Sequence, residues 1–158
     1  MQRKETANSL NFTDLSAFPR AGRILAIDPG TKRVGLAVSD PNQLIATPIR
    51  TLARTSWKKL LADIKDAVSE FDAVAIVVGL PLDMEGEKTD MTEAAQTVFR
   101  NLSLSLEIPV FQQDERSTSY EARGRLWQRG GRSDDVRSEV DPEAASIILS
   151  DFLDRLRG

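Results

Sequence analysis

Along this chain the spacing of apolar positions switches between the two periods that distinguish strands from helices. Ile24-Leu25-Ala26-Ile27 is a short run of strand formers that ends at Asp28-Pro29-Gly30, a turn signal. Val34-Gly35-Leu36-Ala37-Val38-Ser39 predicts a second strand, stopped by Asp40-Pro41-Asn42. The stretch Ile45 to Leu52 alternates more weakly and predicts a third strand, antiparallel to the second across a short loop. The period then changes. Leu60, Leu61, Ile64, Ala67, Val68 and Phe71 fall at helical spacing, with Thr55 or Ser56 as cap. Ala73 to Val78 is continuously apolar, the pattern of a strand buried on both faces, and Gly79-Leu80-Pro81 ends it. After a polar loop through Gly86, Met91, Ala94, Ala95, Val98 and Leu102 mark the inward face of a second helix. Ile108-Pro109-Val110-Phe111 predicts a strand running into Gln112-Gln113-Asp114-Glu115. A helix from Thr118 to Gln128 and a loop from Arg129 to Glu139 are expected next. The last helix is expected to start at Asp141-Pro142-Glu143 and to bury Ala145, Ile148, Phe152 and Leu156.

Three strands joined by tight turns, followed by helix-strand-helix-strand-helix, argue for an α/β domain with a mixed five-stranded sheet flanked by helices. Parallel crossovers bring the carboxyl ends of neighbouring strands to one edge, where ligand sites collect. Residues 1–22 show little periodicity and are expected to form a flexible N-terminal leader, with Leu10, Phe12, Leu15 and Phe18 as apolar residues able to dock. Residues 23–158 are expected to form the folded domain.

Composition narrows the chemistry. The chain of 158 residues contains neither cysteine nor histidine. Disulfides, thiolate or imidazole metal sites, thiol nucleophiles and a Ser-His-Asp triad are therefore excluded. Carboxylates, hydroxyls, lysine and arginine remain, so a catalytic metal would sit among oxygen ligands, which suits Mg²⁺ or Mn²⁺. A formal charge of −3 gives no global attraction to polyanions, so nucleic-acid binding would need a local basic surface. No apolar run is long enough to span a bilayer and the polar N-terminus lacks the core of a secretory signal, so a cytoplasmic location is expected.

Three acidic groups occupy marked positions: Asp28 at the end of the first strand, Asp114-Glu115 at the end of the last, and Asp141 at the head of the final helix. Gathered at one rim they would repel one another, and divalent cations would relieve that repulsion. Each also has a plain structural role. Asp before Pro-Gly forms turns, Asp141 before Pro142 is a helix N-cap, and Asp114-Glu115 can be solvated loop charges. The Asp28–Gly35 hairpin offers small residues whose amides can approach a phosphate, with Lys32 and Arg33 adding charge, or else a tight turn in which Gly30 takes positive φ. From Arg116 to Arg137 there are six arginines against Glu121, Asp134 and Asp135, with Trp127 among them able to stack on a base or to join the core.

Together these segments resemble the YqgF-type nucleases, RuvC-like proteins described as Holliday-junction-resolvase-like or as pre-16S rRNA processing nucleases. The resemblance rests on four ordered stretches: Ile27 to Asp40; Ile76 to Leu82; Asp114-Glu115-Arg116 with Ser119 and Glu121-Ala122; and Val140-Asp141 with Ala144-Ala145 and Ile147 to Leu149. It implies a ribonuclease H-like fold and metal-dependent endonucleolytic cleavage of structured nucleic acid in ribosomal RNA maturation, at the 5′ end of pre-16S rRNA. It further implies Asp28, Glu115 and Asp141 as catalytic metal ligands, with Asp114 adjacent and able to help. About two Mg²⁺ or Mn²⁺ ions in such a set can activate a water and stabilise the leaving oxygen. Arg116, Thr118 and Ser119 are the implied phosphate contacts, and they join Gly30, Lys32 and Arg33 of the hairpin as the candidate substrate contacts. If the last strand alternates through Asp114-Glu115, only one carboxylate faces the metals, and Glu115 is the choice. Gly79-Leu80-Pro81 carries no carboxylate where many relatives of this fold place one; Asp83 is the nearest.

Three other functions fit parts of the pattern. Branched DNA is an alternative substrate, and a junction resolvase would act as a homodimer rather than a monomer. A non-catalytic RNA-binding assembly factor would keep the fold without the chemistry. Nucleotide binding of the actin or sugar-kinase kind would need a second domain, for which this length leaves no room.

Overall fold

The computed structural model describes residues 15, 18–81, 85, 87–115 and 133–158, with the backbone alone for 133–141. The elements run β1 (Ile24–Pro29), β2 (Arg33–Ser39), β3 (Ala46–Ala53), α1 (Trp57–Phe71), β4 (Ala75–Leu80), α2 (Asp90–Ser105), β5 (Val110–Asp114) and α3 (Ser133–Arg157). The five strands form one sheet in the order β3-β2-β1-β4-β5. The first three strands pair antiparallel; β4 pairs parallel with β1 and with β5. This is the mixed α/β arrangement expected from the pattern. Along β2–β3 the register slips between Leu36 and Ala37, opposite Pro48. Proline has no N–H for a ladder, so it is tolerated on an outer strand such as this one.

Alternation along the central strands divides the core in two. Leu25, Ile27, Ile76, Val78 and Val110 point to one face and pack against Leu60, Ile64 and Ala67 of α1 and Val98 and Leu102 of α2. Ile24, Ala26, Ala75, Val77 and Phe111 point to the other and pack against Ala145, Ile148, Leu149, Phe152 and Leu153 of α3. Central strands covered on both sides need continuous apolar runs, which is what β1 and β4 carry. Of the two caps offered for α1, Ser56 is used: its Oγ accepts from the Lys59 amide at 3.1 Å. On α2, Ala95, Val98 and Leu102 are buried as expected, while Met91 and Ala94 are half-buried. Thr92 is buried instead, because its side chain closes a capping box with Thr89 and donates to the Pro81 carbonyl.

Two elements depart from expectation. The third strand begins at Ala46 rather than Ile45, because Asp40 accepts from the Leu44 and Ile45 amides and holds both in the loop. The final helix begins at Ser133, so the stretch expected as loop up to Glu139 is helical from 133 onward, and Asp141-Pro142 lies inside the helix rather than at its head. Pro142 fixes a helical φ and removes one internal hydrogen bond; the packed face that follows it carries the helix through. The helix expected over 118–128 lies outside the described residues.

The described residues preceding β1 are tied to the domain. Phe18 is buried and packs its ring 4.6 Å from Phe111 and 5.1 Å from Phe152, centroid to centroid. Arg20 donates to the carbonyl of Leu156, and Gln43 donates to the carbonyls of Pro19 and Gly22. Gly22 has φ 107°, and a Cβ there would lie 2.5 Å from Val74 Cγ1, so only glycine suits this turn. Docking of the apolar leader residues is therefore met at Phe18 and, partly buried, at Leu15. Leu10 and Phe12 lie outside the described residues.

Candidate active site

The carboxyl ends of β1, β4 and β5 form one rim. Ile27 is level with Val78, and continuing that register sets Asp28 level with Gly79. Gly79 is in turn level with Gln113, and Leu80 with Asp114. The Glu115 amide donates to the Leu80 carbonyl at 3.0 Å, extending the ladder one residue past β5. Residues level with one another on parallel strands share a face. Asp28, Gly79, Gln113 and Glu115 thus belong to the α3 face, and Arg155 of α3 confirms it by donating to Gln113 Oε1 at 2.5 Å.

Asp28 is half-buried and Glu115 is 1% exposed. Two strand spacings separate the backbones of β1 and β5, about 10 Å. Side chains from the two strands can approach only by leaning across β4. Gly79 leaves that lane open: a Cβ built there would meet Ile148 Cδ1 at 2.4 Å and Glu115 Cγ at 3.4 Å. The Glu115 side chain therefore lies over Gly79, toward Asp28, with Ile148 of α3 beside it.

Asp114 falls on the opposite face and is exposed. Asp114 and Glu115 thus face opposite sides of the sheet, as the expected alternation requires. Asp141 sits on α3 seven residues before Ile148, which is two turns, about 10 Å along the axis and roughly 20° from the same helical face. Among the described residues no group of three or more acidic side chains forms a cation site; the Asp141 side chain is not among them. The donor set fits a hard cation in its chemistry, since it offers carboxylate oxygens and the chain has no histidine or cysteine.

The β1–β2 hairpin corrects one expectation. The Gly30 amide donates to the Arg33 carbonyl at 2.9 Å, so it closes the hairpin rather than facing a phosphate. Gly30 also lacks positive φ. Its carbonyl accepts from Arg54 Nη1 at 2.7 Å, and the Lys32 carbonyl accepts from the Arg54 amide at 3.0 Å. Thr31, Lys32 and Arg33 are exposed at the tip. Arg116, Thr118, Ser119, Asp83 and Trp127 lie outside the described residues. Sequence reasoning missed the role of Gly79 as the open lane and of Arg54 as the hairpin's strut. A glycine at the end of an otherwise unbroken apolar run was the visible sign of the first.

The profile of the RuvX family, described as Holliday junction resolvase, matches residues 22–155. The chain belongs to the RuvX family. Relatives bearing the name "Putative pre-16S rRNA nuclease" agree with this assignment. The protein of Roseiflexus sp. (strain RS-1) is 35% identical over 86% of this chain and 96% of its own. That of Chloroflexus aurantiacus is 40% identical over 85% and 88%. That of Methylocella silvestris is 39% identical over 96% and 94%, so its match reaches into the residues before β1. The solved structure "T. thermophilus RuvC in complex with Holliday junction substrate" superposes with a TM-score of 0.52 at 17% identity, covering 87% of this chain and 96% of that one. The fold of this RuvX-family chain is thus the ribonuclease H-like fold of RuvC, and the protein is a nuclease. No described helix is long and apolar enough to cross a membrane.

Proposed function

We propose that this RuvX-family nuclease is a divalent-metal-dependent endonuclease that cleaves structured RNA, with the 5′ end of precursor 16S rRNA as its substrate. The observation that carries the reading is the placing of Asp28 and Glu115 on one face of one rim, either side of the lane left by Gly79. Relatives named for pre-16S rRNA at 35% and 40% identity support the choice of RNA.

In this reading Asp28, Glu115 and Asp141 hold Mg²⁺ or Mn²⁺. When bound, the ions neutralise the carboxylates, orient the scissile phosphate and supply an activated water. The chain's own residues do the rest. Burial of Glu115 keeps its carboxylate fixed and dry, which strengthens every charge interaction it makes. Lys32 and Arg33 at the hairpin tip bind the backbone on the far side of Asp28, and such contacts position a strand without reading its sequence. Arg116, Thr118 and Ser119 contact the phosphates beyond Glu115.

The test is cleavage of a precursor 16S transcript by purified protein in Mg²⁺ or Mn²⁺. Wild type should cut it, Asp28→Asn and Glu115→Gln should not, and undiminished cutting by either variant would defeat the reading. The family's description as a resolvase favours one second substrate, a four-way DNA junction. Tested side by side, preferential cutting of the junction by a dimer would move the assignment to branched DNA.

A further inference from the structure

Around the same hairpin, but on the α1/α2 face, the protein has a cavity of about 280 Å³. Its walls come from three elements. Thr31 stands at the hairpin tip, Arg54 and Trp57 bracket the start of α1, and Thr97 and Asn101 project from α2. Leu60 forms part of the floor and belongs to the core. The wall is built rather than loose: Arg54 is held through its guanidinium to the Gly30 carbonyl and through its amide to the Lys32 carbonyl. Trp57 is half-buried and rests on the core cluster, which fixes the indole.

This lining suits a flat, polar-edged ring. An indole offers a face for stacking, which every base accepts irrespective of identity. An asparagine amide both donates and accepts, as the edge of a base requires; the Thr31 hydroxyl does the same, while that of Thr97, which donates to the Glu93 carbonyl at 3.0 Å, can still accept. The volume lies just below the range of about 300–1,000 Å³ usual for small-molecule sites, which suits one base and not a whole dinucleotide cofactor. The first turn of α1 carries Lys58 and no acidic residue, Lys59 being paired with Asp63 at 3.0 Å, so the helix start beside the pocket is positive where the attached phosphate would lie.

We propose that this cavity receives one unpaired nucleobase of the strand being cut. Thr31 is three residues past Asp28, so the pocket and the carboxylate rim are the two sides of one hairpin. A strand crossing that hairpin presents its phosphate to the rim and one unstacked base to the pocket. Cleavage then favours sites where a nucleotide beside the scissile bond is bulged or single-stranded. The location next to a cut site rests on the nuclease reading above; the capture of a base does not.

The chain has two tryptophans, so Trp127→Phe leaves Trp57 as the sole indole. In that background, with EDTA to prevent cutting, Trp57 fluorescence is followed during titration with single-stranded oligonucleotide, with the matched duplex and with ribose 5-phosphate. Single strand should quench the signal; duplex and ribose 5-phosphate should not. Thr97→Phe fills the mouth from an exposed helical position, and it should weaken single-strand binding about tenfold, with duplex affinity and Tm unchanged. No quenching by single strand, or equal quenching by ribose 5-phosphate, overturns the base pocket and leaves the nuclease reading intact. Quenching with full cleavage by Asp28→Asn overturns the carboxylate rim as the cutting site and leaves the pocket.

Discussion

One added carbon at Gly79 should disturb the site more than its size suggests. The Cβ of Gly79→Ala would lie 2.4 Å from Cδ1 and 3.2 Å from Cγ1 of Ile148, and 3.4 Å from Cγ of Glu115. The first distance is a collision and the last is ordinary contact. Ile148 is 1% exposed and packed between the sheet and its own helix, so Cδ1 has no open side to turn toward. Overpacking of this kind costs about 1–3 kcal/mol. Alanine recovers roughly 0.5–1 kcal/mol of backbone entropy relative to glycine in a strand. The net loss is about 1.25 kcal/mol, and for a domain of this length that lowers Tm by roughly 2.5–5 °C.

The mechanism is specific enough to be tested by relief. Ile148→Val removes the colliding methyl, which alone costs about 1 kcal/mol. In the Gly79→Ala background the same truncation should cost little or restore stability, giving a favourable interaction of about 1 kcal/mol between the two sites. Urea unfolding of the wild type, both single variants and the double variant measures this directly. Cleavage should fall in Gly79→Ala, because Glu115 shares the crowded space, and recover in the double variant. Strictly additive stabilities would refute the reasoning, since they would mean that Gly79 and Ile148 do not meet.

Three further outcomes follow from the same contacts. Glu115→Gln removes a charge that is 1% exposed, so cleavage should vanish with Tm no lower than wild type, as read by thermal melting beside the activity assay. Phe18→Ala empties the space between Phe111 and Phe152 and should cost about 3 kcal/mol, a fall in Tm of roughly 6–12 °C by calorimetry; an unchanged Tm would show that the residues before β1 do not brace α3. The Asp40 carboxylate accepts from the Ile45 and Leu44 amides at 2.8 and 2.7 Å and from Asn42, which holds its pKa below the usual 3.8. Its contribution is complete above that value and is lost as pH falls through the lowered folded pKa. Asp40→Asn should therefore destabilise the protein at neutral pH, with the difference closing in acid, and an NMR titration should place the Asp40 midpoint below 3.8.

The central sheet was legible because β1, β2 and β4 are buried on both faces, and burial leaves an unbroken apolar run. The edge strand β3 was legible only to within a residue, since its start is set by the Asp40 side chain rather than by its own pattern. The head of α3 was misread for a related reason. Asp-Pro-Glu is a strong local start signal, yet local capping preference is worth about 1 kcal/mol. Helix α3 buries Ala144, Ala145, Ile148, Leu149, Phe152 and Leu153, and that packing decides the course of the chain. The strand's period of two predicted that Asp114 and Glu115 face opposite sides, and they do, with Asp114 exposed and Glu115 buried. The accounting for Gly30 needed hydrogen-bond partners, which spacing cannot supply: its amide and carbonyl are spent on Arg33 and Arg54.

The strand end at Gly79 shows why a missing side chain can be part of a site. Asp28 and Glu115 stand on strands that are not neighbours, and β4 between them has its own residue at the same level and on the same face. Any side chain there would stand where Glu115 now leans, and would press Ile148 away from the sheet. A carboxylate at that level would bring a third acid to the rim, but it would push Glu115 back over β5 and away from Asp28. Glycine keeps that strand bare, so Glu115 can lean across it toward Asp28, and in the proposed site the third acid comes from the helix above. On α3 the acid on the same helical face as Ile148 is Asp141, two turns earlier. If Asp141 is the third ligand, as proposed above, it comes from inside the final helix rather than from its tip, and moving the acid by one residue along the helix would turn it about 100° about the axis, so the variant carrying it at 140 or 142 should not cut.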